Sequence, residues 1–285
     1  MENTDIKRKP DWLKRDFRSE NNFSNVSKIL KTNHLHTICE SGRCPNIAEC
    51  WSRGTATFMI LGDICTRSCG FCNTLTGNPS APNPQEPQKI ADAVNAMKIN
   101  HIVITSVTRD DLADGGAKHW AECILAIKKE NPQVSIEALI PDFGGDNSLI
   151  DIVIAAKPNV ISHNIETVRR LTPQVRSAAK FDTSLSVLKH ISERKIRSKS
   201  GLMLGLGETE TEILETMDEL LEVGCQVLTL GQYLQPSKKH LPVAEYIHPD
   251  KFADYKRVAL QKGFLFVESA PLVRSSYFAE RHVAL

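Results

Sequence analysis

The stretch "CTRSCGFC", residues 65–72, places Cys65, Cys69 and Cys72 in the spacing C-x3-C-x2-C. Cysteine thiolates are the ligands that hold iron–sulfur clusters. Three thiolates fill three corners of a four-iron cube and leave one iron open. An open iron takes a small chelating ligand, as the open position of a catalytic zinc takes water. Phe71, beside the last cysteine, is placed to cover a cluster or to stack on a ligand. A zinc site favours paired C-x2-C knuckles, and Cys69 with Cys72 forms the only such pair. His34 and His36 would have to join Cys39 and Cys44 to complete one.

A second triad precedes the first. "CESGRCPNIAEC" carries Cys39, Cys44 and Cys50 in the spacing C-x4-C-x5-C. Six of the 8 cysteines therefore crowd into residues 39–72. In a secreted chain this would read as a disulfide framework. In a reducing cytosol, clustered thiols are more often metal ligands or redox groups, and that reading is favoured. The other two look like core. Cys123 shares a helical face with Trp120, Ile124 and Ile127, and Cys225 opens the apolar run "CQVLTL".

These triads need a scaffold, and 285 residues suffice for one large domain or two small ones, a length that suits a barrel with additions at its ends. Net charge is +1, so no basic field points to nucleic acid or to an anionic membrane surface. No apolar run is long enough to span a bilayer, and the acidic start "MENTDIKRKPDWLKRD" has no signal core, so a cytoplasmic location is expected. Residues 1–34 are polar, and an extended arm with a short helix is expected there. From residue 55, apolar runs alternate with amphipathic ones. "TATFMILG", "HIVITSV", "VSIEALIP", "NVISHNIE", "SKSGLMLGLG" and "QVLTLGQY" read as strands, the last being the final clear one. Helical patterns lie between them, among them "TETEILETMDELLEVG", with a capping box at Thr209 and Glu212 and a stop at Gly224. About six β/α repeats predict a parallel sheet with helices outside. Polar clusters recur just after the strand ends: "CTRSC", "TRDDLADGG", "HNIET", "GLGET" and "QYLQPS". In a barrel those points converge on one mouth. The expected fold is α/β, a partial (β/α)6 TIM-like barrel with N- and C-terminal extensions. Residues 1–52 form the arm with the first triad, 53–250 the barrel, and 251–285 a C-terminal extension.

A C-x3-C-x2-C loop after the first strand of such a chain resembles the radical S-adenosylmethionine (SAM) superfamily. That resemblance implies a 4Fe–4S cluster on Cys65, Cys69 and Cys72, whose open iron chelates the amino and carboxylate groups of SAM. One electron then cleaves the sulfonium and yields a 5′-deoxyadenosyl radical. The first triad narrows the match. Together with "ATFMILGDICTRSCGFC", "LIPDFGG", "HNIETV", "GLMLGLGET", "QYLQPS" and "APLVRSSY", it resembles the lipoyl synthase family from about residue 36 to 279. Ala270 stands where that family's pattern leads one to expect glycine.

The family resemblance implies an auxiliary 4Fe–4S cluster on Cys39, Cys44 and Cys50. A serine of "RSSY" is its fourth ligand; this is Ser275 or Ser276, and position favours Ser276. It also implies insertion of two sulfurs, at C6 and C8 of a protein-bound octanoyl-lysine, with the sulfur taken from that cluster. The expected partners are an octanoylated lipoyl carrier domain or glycine-cleavage H protein, and an electron donor such as ferredoxin or flavodoxin. A monomer is expected.

Hydrogen leaves as an atom, so no general acid or base is required. Phe71, Asn164, Glu166, Arg176 and Gly205 are the candidate SAM contacts; a strand-end cap is the other reading of Asn164 and Glu166, and a plain turn the other reading of Gly205. Asp110, Asp111 and Asp114 can hold an ammonium group or cap the next helix, and His163 reads as a structural hydrogen bond. Two other readings stay open on the residues alone. One is a zinc or iron–sulfur scaffold without activity; the other is a different sulfur insertion, as in biotin synthase.

Overall fold

Alternation of buried apolar runs with amphipathic ones folds as parallel strands joined by helices, since parallel pairing requires a crossover. The computed structural model describes residues 8–14 and 21–283. The chain divides into two compact units.

The N-terminal unit comprises residues 21–67, 74–161 and 279–283. Its elements begin with α1 (Asn21–Asn33), β1 (His36–Thr37), α2 (Ile38–Ser41), α3 (Ile47–Ser52), β2 (Thr57–Ile60) and β3 (Ile64–Cys65). They continue with β4 (Leu75–Thr76), α4 (Glu86–Met97), β5 (His101–Ser106), α5 (Ala117–Glu130), β6 (Ser135–Leu139) and α6 (Asn147–Ala155). The first two residues of β7 (Val160–Ser162) end this stretch of the unit. Its strands in the main sheet run β1-β2-β5-β6-β7. β2, β5 and β6 are parallel, with Thr57 opposite Val103 and His101 opposite Ser135. β1 pairs antiparallel with β2, Thr37 opposite Phe58. All four residues of β2 are buried, as a parallel strand covered on both faces requires. α5 buries Trp120, Cys123, Ile124 and Ile127 and packs on α4 and α6. Cys123 is therefore core, as its helical face predicts. β3 and β4 form a separate parallel pair.

The C-terminal unit comprises residues 8–14, 68–73 and 162–278. It contains α7 (Thr172–Val175), α8 (Phe181–Glu193), β8 (Arg197–Leu204), α9 (Glu210–Glu222), β9 (Val227–Gln232), α10 (Pro249–Lys262) and β10 (Phe266–Ser269). β8, β9 and β10 are adjacent and parallel, with Lys199 and Phe266 both opposite Val227. Leu202, Leu228, Leu230, Met217 and Phe252 form part of its core. α9 starts on the expected capping box: the Thr209 hydroxyl accepts from the Glu212 N–H at 3.3 Å, and the Glu212 carboxylate accepts from the Thr209 N–H at 2.8 Å. Such caps contribute about 1 kcal/mol. Gly224, at φ +80°, ends the turn after α9.

Three local expectations change. β9 is not the last strand, because α10 carries the chain back to β10, whose outer residues are only half-buried. Four residues ending in Glu268 and Ser269 lack the apolar run of a central strand. The helix of the arm has 13 residues, longer than expected. "NVISHNIE" also leaves the strand early, at Ser162. Ile165 N–H donates to the Ser200 hydroxyl at 3.1 Å in place of a ladder carbonyl, and Glu166 rejoins opposite Leu202 as an isolated bridge.

Candidate functional site

The first triad is built by two short helices. Thr37 caps α2, its hydroxyl accepting from the Glu40 N–H at 3.3 Å, and Cys39 is buried within that helix. Cys44 N–H donates to the Cys39 carbonyl at 3.0 Å. Cys50 lies in α3, and its carbonyl accepts from the Thr55 N–H at 2.9 Å and hydroxyl at 3.1 Å. α1 braces α3, with the Phe23 ring 5.0 Å from Trp51. Burial pushes the Cys39 thiol up to about 11, eased by a hydrogen bond from the Thr57 backbone and reinforced by Cys44. Burial likewise pushes Cys50 up to about 12, with the charges of Cys44 and Cys39 next in size. Thiols held protonated in this way give up their protons when a metal takes their place, which is how a cluster binds. Beyond the RSSY motif, Ala279–His282 forms a 3-10 turn in this same unit, and Glu280 meets Arg53 at 3.0 Å, three residues after Cys50.

In the second triad, Cys65 ends β3, and its Sγ accepts backbone N–H groups from Arg67 at 3.4 Å and Thr108 at 3.3 Å. The rest of the motif belongs to the C-terminal unit. Cys72 N–H donates to the Cys69 carbonyl at 3.1 Å. Gly70 donates to the Val175 carbonyl and accepts from the Leu241 N–H, both at 3.0 Å. A Cβ on Gly70 would touch the Leu241 side chain at 3.0 Å, so the loop lies close against it. His240 Nε2 donates to the Cys72 carbonyl at 3.0 Å, and its Nδ1 accepts from the Ser237 hydroxyl at 2.9 Å. Ser177 Oγ stands 3.9 Å from Cys69 Sγ. Phe71 is half-buried and packs against the unit's apolar core together with Leu241. All 8 cysteines are free.

The SAM candidates fall within the C-terminal unit. Asn164 Nδ2 donates to Ser275 Oγ at 2.6 Å, and Asn164 Oδ1 is buried without a hydrogen-bond partner among the described residues. Glu166 sits in the left-handed region at φ +70°, an uncommon conformation for a residue with a Cβ. Burial raises its carboxyl pKa, against the opposing charge of Arg176 and a hydrogen bond from Asn164. Arg176 is buried, and its Nη1 donates to Ser184 Oγ at 2.7 Å. An orphaned acceptor beside a half-buried carboxylate suits a ligand that brings hydroxyl or ammonium donors. Gly205, at φ +98°, is approached by the chain itself: a Cβ there would lie 2.2 Å from Gln232 Nε2 and 2.4 Å from the Glu245 carbonyl. His163 bonds the Ser184 hydroxyl at 2.9 Å, the structural role expected of it.

The aspartates after β5 are occupied by neighbours. Asp110 receives two N–H groups of Arg67 at 2.8 Å each, Asp111 pairs with the buried Arg109 at 2.8 Å, and Asp114 caps α5 through the Gly116 and Lys118 N–H groups. Two features escape a reading of motifs. Arg67 also reaches Asp142, and Glu86 of α4 meets His119 of α5 at 2.7 Å while accepting the Leu61 N–H at 2.9 Å. The sign for Arg67 is its place between Cys65 and Cys69, with aspartates after two successive strands. Glu86 and His119 lie inside amphipathic helices, where a polar residue on the inner face is hard to tell from one on the outer.

Comparison with known proteins agrees with these features. The radical SAM superfamily model matches residues 59–220. The lipoyl synthase of Parabacteroides distasonis is 59% identical over 276 residues, covering 97% of this chain and 98% of that protein. The lipoyl synthase of Treponema denticola is 57% identical, covering 97% and 95%. Among solved structures, methylornithine synthase superposes with a TM-score of 0.57 at 12% identity, over 86% of this chain and 81% of that one. HydG, a maturase of the [FeFe]-hydrogenase, superposes at 0.53 with 11% identity, over 95% and 65%. At such identities these two show the fold, the partial α/β barrel of radical SAM proteins. With the two cysteine triads, the RSSY motif and relatives matched from end to end, the chain belongs to the lipoyl synthase family of the radical SAM superfamily.

Proposed function

We propose that this chain makes the lipoyl group, inserting sulfur at C6 and C8 of an octanoyl chain amide-linked to a lysine of a carrier protein. Cys65, Cys69 and Cys72 hold the 4Fe–4S cluster that binds SAM. Cys39, Cys44, Cys50 and Ser276 hold the auxiliary one, so that the arm (1–52) and the C-terminal extension (251–285) both serve the barrel (53–250). When bound, the two clusters supply complementary chemistry: hydrogen-atom removal through SAM, and the sulfur itself.

The protein's part is to hold, orient and exclude water. The N–H groups of Arg67 and Thr108 point at the Cys65 sulfur and fix its position. His240 fastens the Cys72 carbonyl, and the Gly70 contacts with Val175 and Leu241 fasten the loop between Cys69 and Cys72. Asn164 Oδ1 and the Glu166 carboxylate accept the hydroxyl or ammonium donors of SAM, with Arg176 holding Glu166 in place. Ser275, the neighbour of Ser276, is engaged by Asn164. Phe71 lies against the core, and Gly205 serves the turn it makes with Gln232. The partners are an octanoylated lipoyl carrier domain or H protein and a low-potential donor such as ferredoxin or flavodoxin, met by a monomer in the cytoplasm.

The observation that carries the reading is the first triad, three free cysteines in the spacing C-x4-C-x5-C set on α2, the turn after it and α3, in addition to the SAM-binding set. The test is mass spectrometry of an octanoyl-lysine peptide incubated with the anaerobically reconstituted protein, SAM and dithionite. A dithiolated peptide is expected. Unchanged peptide alongside abundant 5′-deoxyadenosine would contradict the assigned substrate.

A further inference from the structure

Arg67 is the second residue after Cys65 and the second before Cys69, and its bonding exceeds what a loop residue needs. Its side chain is 11% exposed. Nε and Nη2 grip both oxygens of Asp110, at 2.8 Å each, and Nη1 reaches Asp142 Oδ2 at 2.8 Å. Burial opposes its charge, but hydrogen bonds to the two carboxylates outweigh this and hold Arg67 firmly protonated. The carboxylates are themselves fixed. Asp142, 4% exposed, accepts the Gly144 N–H at 3.0 Å through its other oxygen. Asp110 accepts the Thr66 hydroxyl at 3.1 Å and donates its N–H back to that hydroxyl at 3.2 Å. The main chain follows the same course. Arg67 N–H points at Cys65 Sγ, its carbonyl accepts the Thr76 hydroxyl at 3.2 Å, and Thr66 N–H donates to the Thr108 carbonyl at 3.1 Å.

We propose that Arg67 is a positioning residue for the SAM-binding cluster, clamping the Cys65–Arg67 segment onto the loops that follow β5 and β6. The proposal rests on the assignment of Cys65, Cys69 and Cys72 as cluster ligands. Two carboxylates already balance the guanidinium, so its contribution is geometric. A planar fork can hold Asp110 with two N–H groups while a third reaches Asp142. A lysine ammonium keeps the charge and loses that fork. With the turn loosened, the Cys65 backbone would keep its β3–β4 pairing but its sulfur would lose the Arg67 N–H, and the open iron would present itself to SAM in a spread of orientations.

The experiment uses the full chain with Cys39→Ala, Cys44→Ala and Cys50→Ala as parent, so that a single cluster remains. Into it go Arg67→Lys and, separately, Asp142→Asn. Two quantities are read. In cluster-free protein, amide exchange at Thr66 and Thr108 should speed up roughly tenfold in Arg67→Lys, as local opening becomes easier. In reconstituted protein, the SAM-induced change in the EPR spectrum of the reduced cluster should need roughly tenfold more SAM for half-saturation, with smaller effects for Asp142→Asn, while iron per chain matches the parent.

A spectral titration of Arg67→Lys that superimposes on the parent's would overturn this proposal alone. A parent that holds no iron would overturn the assignment of the motif, and this proposal with it. If Arg67→Lys does not fold, Asp142→Asn is read in its place. If neither variant folds, the clamp belongs to folding rather than to cluster positioning, and the proposal is wrong.

Discussion

Gly205→Ala separates two roles for one residue of the GLGE turn. Gly205 lies at φ +98°, where a side chain costs about 1–3 kcal/mol. The new methyl would lie 2.2 Å from Gln232 Nε2 and 2.4 Å from the Glu245 carbonyl, both well inside contact distance. Gln232 is 1% exposed and cannot swing into solvent. Its Nε2 donates to the carbonyls of Tyr233 at 3.1 Å and Glu245 at 2.9 Å, and its Oε1 accepts the Ile247 N–H at 2.9 Å. Displacing the amide forfeits bonds worth about 1 kcal/mol each. The expected destabilisation is therefore about 3–5 kcal/mol, and the midpoint of thermal unfolding should fall by about 6–15 °C. The assay is circular dichroism on cluster-free, reduced protein, paired with the KM for SAM of the reconstituted enzyme measured well below that midpoint. A fall of less than about 2 °C with a large rise in KM would refute the packing argument and restore a direct SAM contact at Gly205.

Two further outcomes follow from single residues. Arg170 forks Glu212 at 2.7 and 2.9 Å, and with the Thr209 N–H this lowers the Glu212 carboxyl from 4.5 to about 2. A depressed carboxyl adds stability above its unfolded value and loses it as pH falls, so the deficit of Glu212→Gln, under about 1 kcal/mol for so exposed a pair, should be constant near neutral pH and shrink below about 4.5 in denaturant titrations. Ser276→Ala and Ser276→Cys should both form 5′-deoxyadenosine but stop at octanoyl or singly thiolated peptide by mass spectrometry. Full dithiolation at the parent rate by both variants would show that Ser276 is not the ligand.

What the sequence discloses and what it hides divides along the range of the interactions. The Thr209–Glu212 cap and the Gly224 stop are local, and both stand in the structure. Cys123 sits on the buried face its helical spacing predicts. β10 is short and half-polar, so it shows only where β9 offers it a partner. The Arg67–Asp142 pair spans 75 residues, which no local pattern encodes. The aspartates after β5 could have faced a ligand or a neighbour, and only the fold shows Arg67 and Arg109 against Asp110 and Asp111. Gly205 is similar: a glycine in a turn announces a close approach, and the group that approaches proves to be the side chain of Gln232 and the carbonyl of Glu245.

The central claim is that the two cysteine triads hold separate clusters with separate tasks. Its most direct measurement is iron per chain, 5′-deoxyadenosine and dithiolated peptide, determined together on the anaerobically reconstituted parent and on the triple variant Cys39→Ala, Cys44→Ala, Cys50→Ala. The parent should hold roughly eight irons and the variant roughly four, following the count of ligand sets. The variant should still make 5′-deoxyadenosine in the presence of octanoyl peptide but no lipoyl product. A variant that kept the parent's iron content, or that dithiolated the peptide at the parent rate, would contradict the account.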